Sequence, residues 1–436
     1  MEMKKYVVAV MGALILVWPG AASAADADDK ELRETVRAMQ KRIQELESEV
    51  HQLKGPRAEA AAPTATPSAE SGPMAELHQR VEKLEGFSLL KGIEIHGLLS
   101  GTYTYNLNRP KSRKNGLTLF NEDDNTFSLN HANIQVMKNA DSGLGFLVDA
   151  DFGDTAEIVG SVTRWSNNPD NSESRNSIEL RQAYLTYKFA IGNGLTLKAG
   201  KMVTLHGAEV IKSWNNLNYN ISNSILFGWA IPFTHTGIMA SYPLNDYFAF
   251  DLGLMNGWDN VADNNDGKTV HGALTIKPHE QLSFYISGSY GPEQNDRGGS
   301  RRTMLTTLVT YKPTNKLTFI LDHNWGHEDD IVANASGALT KNADWHGVAG
   351  YAIYSLTDKL AFSLRGEWFS DTDATRTGVK QDLWEVTPTI TYSIAEGLIA
   401  RFEYRHDESS KRFFENHRGD PLSGQDLFAS ELIYAF

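Results

Sequence analysis

The chain ends in an alternating strand whose last residue is aromatic. In the stretch S-G-Q-D-L-F-A-S-E-L-I-Y-A-F, apolar side chains recur at Phe428, Leu432, Tyr434 and Phe436, and the residues between them are small or polar except for Ile433. A period of two is typical of a β-strand with one apolar face. Because the ends of most soluble domains fray, a terminal aromatic on this pattern predicts a final strand that is paired within the fold.

The same alternation runs through the chain from Ile93 onward. The stretch I-E-I-H-G-L-L-S-G-T-Y-T-Y puts Ile93, Ile95, Leu99 and Tyr103 on one face, with Glu, His, Ser and Thr on the other. Comparable alternation occurs in residues 247–257, 282–291 and 398–406. These segments predict strands that are apolar on one side and unusually polar on the other.

Short turns and long loops alternate along this region. The short turns are Asn139–Gly143, Ile191–Gly194, Pro243–Asp246, Pro278–Gln281, Pro313–Lys316, Ser355–Lys359 and Ile394–Gly397. The long loops are Leu107–Asp124, Gly153–Arg175, Thr204–Phe233, Gly257–Lys268, Gly291–Arg301, Gly326–Ala343, Ser370–Gln381 and Asp407–Gln425. This order predicts an all-β, antiparallel up-and-down meander of about sixteen strands.

Such a meander solves two problems when it closes into a transmembrane β-barrel. Strands that are apolar outward and polar inward can span a bilayer without helices, and closure leaves no exposed sheet edge. We therefore expect a barrel over residues 93–436, in which the last strand pairs with the first strand near Ile93–Asn106. Both ends of the barrel would then lie on the short-turn side.

The first residues predict a secretory signal peptide over 1–24. Lys4 and Lys5 precede the apolar run Val7–Trp18, and Ala22-Ser23-Ala24 is typical of a cleavage site. The mature chain is expected to begin at Ala25. No later segment offers the roughly 18 consecutive apolar residues of a spanning helix.

A short helical arm is predicted between the signal peptide and the barrel. Its apolar residues follow a heptad pattern of alternating four- and three-residue spacing: Leu32, Val36, Met39, Ile43, Leu46, Val50 and Leu53. The pattern favours a coiled coil over residues 25–55, although a helix packed on its own domain gives a similar pattern. An Ala/Pro/Ser linker follows over 56–73, and 74–92 is a short amphipathic segment.

Composition excludes several functions. The formal net charge is −13 and there is no cysteine. An acidic chain is a poor partner for nucleic acid, which requires a basic face. Without cysteine there are no disulfides, thiolate metal sites or haem attachment motifs, and we expect no cofactor.

Two stretches resemble the OmpL-like β-barrel porin family, namely Pro232–Asn260 and Asp263–Pro278. The resemblance covers about Ile93 to Phe436. It implies an outer-membrane location in a Gram-negative-type bacterium, contact with lipid, and an arm in the periplasm. By similarity to other outer-membrane barrels, Phe436 and Tyr434 would be the signal read by the barrel-assembly machinery. The resemblance and the heptad together predict a homotrimer, although β-branched residues at a with Leu at d favour two strands in a parallel coiled coil. The arm could also bind peptidoglycan or another periplasmic partner.

The loop Thr204–Phe233 is the predicted constriction. It is the longest loop, and it is rich in apolar residues and asparagine. In general porins the third loop folds into the barrel, so resemblance implies an eyelet here; the alternative is a loop packed outside at a subunit contact. The candidate eyelet residues are Glu209, Lys212, Asn216, Asn218 and Asn220.

Charged residues of both signs face the predicted lumen. By strand parity the inward candidates are Arg181, Lys198, Arg365, Arg401, Arg405, Glu367, Glu403, Asp149 and Asp151. Opposite charges on separated walls would create a transverse field across a wet pore. The alternative is local pairing, such as Arg365 with Glu385 on an adjacent strand. Slips in the alternation predict β-bulges near His131 and near Gln182, which would reverse parity.

The predicted function is passive diffusion of small hydrophilic solutes or ions through a selective pore. A structural barrel is the alternative, either a sheath for a partner such as a multihaem cytochrome or a tether to the cell wall. We expect no enzyme, because no motif singles out a catalytic Ser, His and acid. His323, His327 and the acids 328–330 are a weak metal candidate that is better explained as a solvated strand end, so no metal site is predicted.

Overall fold

A computed structural model describes residues 92–139, 141–163, 177–333, 337 and 339–436. The predicted signal peptide, coiled coil, linker and nearly all of the segment 74–92 lie outside the described residues and stay predictions. Within the described ranges no helix has the length and apolar character needed to cross a membrane.

Sixteen antiparallel strands form one closed barrel, which confirms the predicted fold class and strand number. Their bounds are β1 Ile93–Asn106, β2 Thr126–Lys138, β3 Gly143–Phe152, β4 Ile178–Phe189, β5 Leu195–Val203, β6 Thr234–Pro243, β7 Phe248–Met255, β8 Thr269–His279, β9 Leu282–Pro292, β10 Arg301–Thr314, β11 Leu317–Ala333, β12 Leu339–Ser355, β13 Leu360–Asp371, β14 Gln381–Ala395, β15 Leu398–Ser409 and β16 Gly424–Ala435. The long loops also contain helix α1, Asp154–Val162, and a small hairpin of Phe414–Glu415 with Pro421–Leu422.

The C-terminal strand closes the barrel on the first strand, as predicted. The register runs from Leu98 opposite Ala435 to Asn106 opposite Leu427. Beyond the strand end, the Phe436 amide donates to the Gly97 carbonyl at 3.0 Å, and the Gly97 amide donates to the Phe436 carbonyl at 2.9 Å. The last residue therefore takes part in the closing ladder.

The outer surface is a belt of exposed apolar side chains. Phe127 is 86% exposed, Leu252 63% and Phe402 62%, and each lies on a strand face directed away from the lumen. Soluble monomers rarely expose so much contiguous apolar surface. A lipid environment removes that penalty, which is the arrangement expected of a transmembrane barrel.

Two β-bulges occur where the alternation slips, and both confirm the sequence prediction. Ser100 pairs with His131 while its neighbour Gly101 pairs with Leu129, so Asn130 is the extra residue. On β4 the pairing passes from Gln182 to Leu180 and leaves Arg181 as the extra residue. As a result Asn130 and His131, and likewise Arg181 and Gln182, are all buried, because a bulge lets two successive side chains turn to one face.

The predicted loop Gly326–Ala343 is wrong for most of its length. Strands β11 and β12 continue into it, with Glu328 opposite Ala343 and Val332 opposite Lys341. Polar pairs support this extension: His327 Nδ1 lies 2.8 Å from Asp344 Oδ1. Polar residues 327–330 are followed by three successive apolar residues, 331–333, so the period-two signal disappears although the ladder continues.

Candidate functional site: loop L3 and the barrel lumen

The loop between β5 and β6 spans Thr204–Phe233, as predicted, and is called L3 below. Its second half is apolar and packs inside the barrel. Ile225, Leu226, Phe227 and Phe233 form one buried cluster with inward residues of several strands, including Trp345. Burial of each such side chain contributes roughly 1.5–3 kcal/mol, so L3 is fixed in the lumen by packing as well as by polar contacts.

The start of L3 is bound to strands β10 to β12. His206 Nδ1 lies 2.9 Å from the Thr306 hydroxyl, and the Ala208 amide donates to Asp322 Oδ2 at 2.8 Å. The Tyr351 hydroxyl donates to Glu209 Oε1 at 3.0 Å.

Glu209 is also the partner of Arg365 on β13. Arg365 Nη1 donates to Glu209 Oε1 at 2.9 Å, and Arg365 Nε donates to Glu385 Oε1 at 2.7 Å. The second oxygen of Glu209 accepts from the Ser224 amide at 2.8 Å. One carboxylate therefore joins both limbs of L3 to the barrel wall.

The middle of L3 is bound to the opposite side of the barrel. Lys212 Nζ donates to Glu431 Oε1 on β16 at 2.7 Å. Arg181 Nη1 on β4 donates to the Lys212 carbonyl at 2.8 Å, and Trp214 Nε1 donates to Gln135 Oε1 on β2 at 2.9 Å. L3 thus crosses the lumen from β10–β13 to β16, β2 and β4.

The returning limb binds acids and bases on β13 to β15. Glu403 accepts the Ile221 and Ser222 amides at 2.6 and 2.9 Å, and Glu367 accepts the Leu226 amide at 3.1 Å. Pairs of backbone amides directed at one carboxylate are strong, charge-assisted contacts.

Asn220 and the remaining inward arginines bind the same limb. Asn220 Nδ2 donates to the Thr389 hydroxyl at 2.7 Å. Arg401 Nη2 donates to the Asn218 carbonyl at 3.0 Å, and Arg405 Nη1 donates to the Asn223 carbonyl at 2.7 Å.

The two aspartates predicted on β3 lie at the β4 bulge. Asp149 Oδ2 accepts from Arg181 Nη2 at 2.8 Å, and Asp151 Oδ1 lies 2.9 Å from His131 Nε2. The two bulges therefore bring a histidine and an arginine to one pair of acids.

Eleven of the fourteen predicted site residues are buried and belong to this anchoring network. They are Asp149, Asp151, Arg181, Glu209, Lys212, Asn220, Arg365, Glu367, Arg401, Glu403 and Arg405. The side chains of the other three do not bind L3 to the barrel wall: Asn216 is exposed, the Asn218 side chain bonds Val210 within L3, and Lys198 Nζ lies 4.5 Å from the Tyr184 ring centroid.

The expectation of opposite charges on separated walls is wrong for the arginines. Arg365 pairs with Glu209 and Glu385, Arg405 with Asp407, and Arg401 with Glu431. The alternative of local pairing is confirmed, including the pair Arg365–Glu385. The physical reason is the cost of leaving a charge unpaired once L3 has displaced water around it.

Sequence reasoning missed Trp214 and Tyr351 as anchors of L3. The Trp214 ring stacks on His96 at 3.7 Å between centroids. Neither residue carries a local signal, because each contacts a segment far away in the sequence.

His327, one member of the weak metal candidate, pairs with Asp344, and no group of three or more possible ligands was found among the described residues.

An open cavity of about 700 Å³ remains beside L3 on the short-turn side of the lumen. It lies between Tyr219 of L3 and strands β8 to β11, where Ser283 and Thr310 contribute hydroxyls. Lys277 and Lys312 line it together with acidic turn residues. A polar space therefore adjoins the loop that crosses the barrel.

A closed sixteen-stranded barrel with an apolar belt and a loop anchored across its lumen defines the class of porins. The family described as "Putative beta-barrel porin-2, OmpL-like" matches residues 92–436. The chain belongs to this family and is an outer-membrane porin.

Solved outer-membrane proteins share the fold. The anion-selective porin from Comamonas acidovorans is 10% identical, with a TM-score of 0.53 over 79% of this chain and 99% of that chain. The channel DcaP of Acinetobacter baumannii is 11% identical, with a TM-score of 0.52 over 79% and 97%. OmpT of Vibrio cholerae in its trimer form is 12% identical, with a TM-score of 0.51 over 79% and 99%. At these identities the likeness concerns the fold alone. No curated protein matches the chain.

Proposed function

We propose that this porin lets small hydrophilic solutes or ions diffuse passively through a water-filled lumen that L3 narrows. The observation that carries the proposal is the attachment of L3 to both sides of the barrel, through Ala208–Asp322 on β11 and Trp214–Gln135 on β2. A loop held in this way restricts the cross-section without depending on a partner. The polar cavity beside Tyr219 is the passage that remains.

The lining of that cavity favours polar solutes. Lys277 and Lys312 lie near Asp246 and Glu280, so both charge signs are present. Hydroxyls and charges compensate the dehydration of a polar solute, whereas an apolar solute gains nothing there. The alternative of a sheath around a large partner requires a wide lumen, and the anchored L3 does not favour it. Diffusion through such a lumen requires no catalytic group, so the proposal includes no enzymatic activity.

We further propose a homotrimer in the outer membrane, with the arm 25–55 in the periplasm. OmpT of Vibrio cholerae, which has a similar fold, has been solved in a trimer form, and the heptad supplies a second possible contact. Chemical crosslinking and native mass measurement of the full mature chain and of a chain without residues 25–55 test this. Monomer alone in both preparations would reject the trimer.

The barrel-assembly machinery is the proposed partner during insertion, and peptidoglycan or another periplasmic component is the proposed partner of the arm. Pull-down of cell-wall sacculi by the mature chain, compared with the chain lacking 25–55, tests the latter. Equal recovery of the two chains would remove the arm from that role.

Liposome swelling tests the channel function. Purified protein in liposomes should admit small sugars, and the swelling rate should fall steadily as the sugar becomes larger. Protein unfolded by heat before reconstitution is the control. Swelling no faster than that of empty liposomes, with protein that a gel shift shows to be folded, would contradict the proposal.

A further inference from the structure

A second cavity, of about 550 Å³, lies among the long loops and beside the end of L3, which contributes Gly228, Ile231 and Phe233 to its lining. Its lining includes Trp258 after β7, Arg302 on β10, Glu328 on β11 and Arg376 after β13. Arg302 and Glu328 are directly opposite each other on the neighbouring strands β10 and β11, and the loop after β13 brings Arg376 to them at the end of the lumen where the long loops lie.

Two arginines share the Trp258 ring. The guanidinium carbon of Arg302 lies 4.5 Å from the ring centroid and that of Arg376 lies 4.8 Å from it. The Arg376 guanidinium is also 5.1 Å from the Trp345 ring centroid, and its Nε donates to the Trp229 carbonyl at 2.6 Å. Cation–π contacts and this hydrogen bond fix the guanidinium plane.

Arg376 retains unused donors. Among the residues that the structure describes, its two Nη groups have no hydrogen-bond partner, while the side chain lines the cavity. Arg302 differs, because its Nε and Nη2 donate to Glu328 Oε2 at 2.9 and 2.7 Å. Arg376 therefore offers both Nη groups to a ligand, whereas Arg302 offers Nη1 alone.

Glu328 retains an unused acceptor beside these donors. Its Oε1 is buried and lacks a hydrogen-bond partner within the described part of the chain, and the residue is 2% exposed. A buried acceptor without a donor costs free energy, and a ligand that supplies the donor would remove that cost.

The other two carboxylates of the cavity accept hydrogen bonds from the protein. Asp259 Oδ1 accepts the Phe233 and Thr234 amides at 2.9 and 2.8 Å. Glu293 accepts the Trp258 amide and the Thr269 hydroxyl, both at 2.6 Å. Among the described lining residues, Glu328 Oε1 is thus the buried carboxylate oxygen without a partner, and the Nη groups of Arg376 are the guanidinium donor pair of the same cavity.

We propose that this cavity binds a small solute carrying a carboxylate and an adjacent hydrogen-bond donor, as in α-amino acids and α-hydroxy acids. The carboxylate binds the Nη groups of Arg376, whose planar fork matches a carboxylate, and the ammonium or hydroxyl donates to Glu328 Oε1. The inference rests on the proposed channel function, for which it supplies a substrate class. A cavity of this volume lies within the usual range for small-molecule sites.

A neutral sugar fits the cavity less well. Sugars in protein sites stack on a free aromatic face, and here two guanidiniums already lie at 4.5 and 4.8 Å from the Trp258 centroid. A sugar also lacks the charge that would satisfy Arg376.

Four solutes with the same carbon skeleton separate the contribution of the carboxylate to binding from that of the adjacent hydrogen-bond donor. They are alanine, lactate, propionate and alaninamide. The full mature protein in detergent is titrated with each solute, and binding is followed by tryptophan emission. Alanine and lactate should bind about tenfold more tightly than propionate, the scale of one charge-assisted hydrogen bond, and alaninamide should bind least. Equal affinity for all four would overturn the inference.

Two variants and one matched control locate the site. Arg376→Gln should weaken alanine and lactate binding about tenfold, and Glu328→Gln should reduce the preference for alanine over propionate. Arg418→Gln removes an exposed loop arginine outside the cavity and should change neither affinity. Unchanged binding by Arg376→Gln that remains folded in a gel-shift assay would place the ligand elsewhere and reject the proposal.

Channel recordings on the same preparations separate this inference from the proposed function. Steady conductance with no effect of alanine or lactate would reject the binding site and leave the channel intact. Solute binding that depends on Arg376, in protein that conducts nothing, would reject the channel and retain the site.

Discussion

Arg365 Nη1 lies 2.9 Å from Glu209 Oε1, and this contact joins L3 to strand β13. Arg365 is fully buried and Glu209 is 5% exposed. Removing one member of a buried ion pair leaves its partner without compensation, at a cost of about 3–5 kcal/mol. Arg365→Gln should therefore lower the free energy of unfolding by about that amount and loosen L3. Urea unfolding of the reconstituted barrel measures the effect.

The matched control for that variant is an exposed pair. Lys114 Nζ lies 2.7 Å from Asp123 Oδ1, with both side chains close to half exposed, and such pairs contribute about 0–1 kcal/mol. Lys114→Gln should leave the unfolding midpoint nearly unchanged. Equal losses in the two variants would mean that Arg365 does not anchor L3.

Gly326 is opposite the ring of Trp345. A Cβ built on Gly326 would lie 2.1 Å from the indole Cε2, and Trp345 is fully buried. Gly326→Ala should therefore destabilise the barrel by about 1–3 kcal/mol through overpacking. Gly350→Ala is the control, because the nearest atom to its Cβ would be 3.9 Å away. A heat-dependent gel shift compares them, and equal midpoints would contradict the packing argument.

Phe436 occupies the closing seam, and its ring covers Gly97. A Cβ on Gly97 would lie 2.5 Å from the ring Cζ, and the Phe436 side chain is 53% exposed toward the outside. Loss of one half-exposed ring costs less than the roughly 1.5–3 kcal/mol of full burial. We expect Phe436→Ala to lower the amount inserted in the outer membrane far more than the heat resistance of the inserted fraction.

Outer-membrane yield in cells, measured beside the gel-shift midpoint of the purified fraction, checks this prediction. Tyr434→Ala, two residues earlier on the same face, shows whether any outward aromatic of the last strand has the same effect. A normal yield for Phe436→Ala would make the terminal aromatic an ordinary packing residue.

The burial of Glu293 makes the stability of the folded barrel depend on pH and determines the direction of that dependence. Burial raises the pKa of Glu293 from its usual value near 4.5 to about 7. Its stabilising contribution is therefore fully present below about 4.5 and is lost as the pH rises through about 7. Glu293→Gln should match the parent at about pH 5 and be the more stable protein at about pH 8.

Thermal midpoints of the two proteins at both pH values measure that difference. Glu396→Gln, at an exposed turn carboxyl, should show no comparable change. A Glu293→Gln advantage that is equal at the two pH values would show that the carboxyl does not titrate in this range.

The barrel could be predicted from local patterns, because the alternation of apolar and polar residues in each strand shows which of its faces is directed outward. Alternation identified the strands, its slips identified the bulges at Asn130 and Arg181, and turn residues defined the bounds of L3. The outer part of the hairpin of β11 and β12 escaped this approach because residues 327–330 and 340–342 are polar while 331–333 are apolar in succession, so the sequence does not alternate there. Parity identified Arg401 and Glu403 as inward without identifying their partners.

The contacts of L3 depend on folding at long range. Glu209 and Arg365 are 156 residues apart, and Lys212 and Glu431 are 219 residues apart. Each inward carboxylate has several cations within reach before the loop is placed, so only the three-dimensional arrangement selects the pair. The cavity at Trp258 has the same origin, since its arginines come from β10 and from the loop after β13.

Single-channel current in planar lipid bilayers tests the central claim most directly. The parent protein should give discrete conductance steps, and Arg365→Gln, with L3 loosened from β13, should give larger and noisier steps under the same salt and voltage. Lys114→Gln should reproduce the parent. Folded parent protein that conducts nothing, or an Arg365→Gln conductance identical to that of the parent, would contradict a pore narrowed by L3.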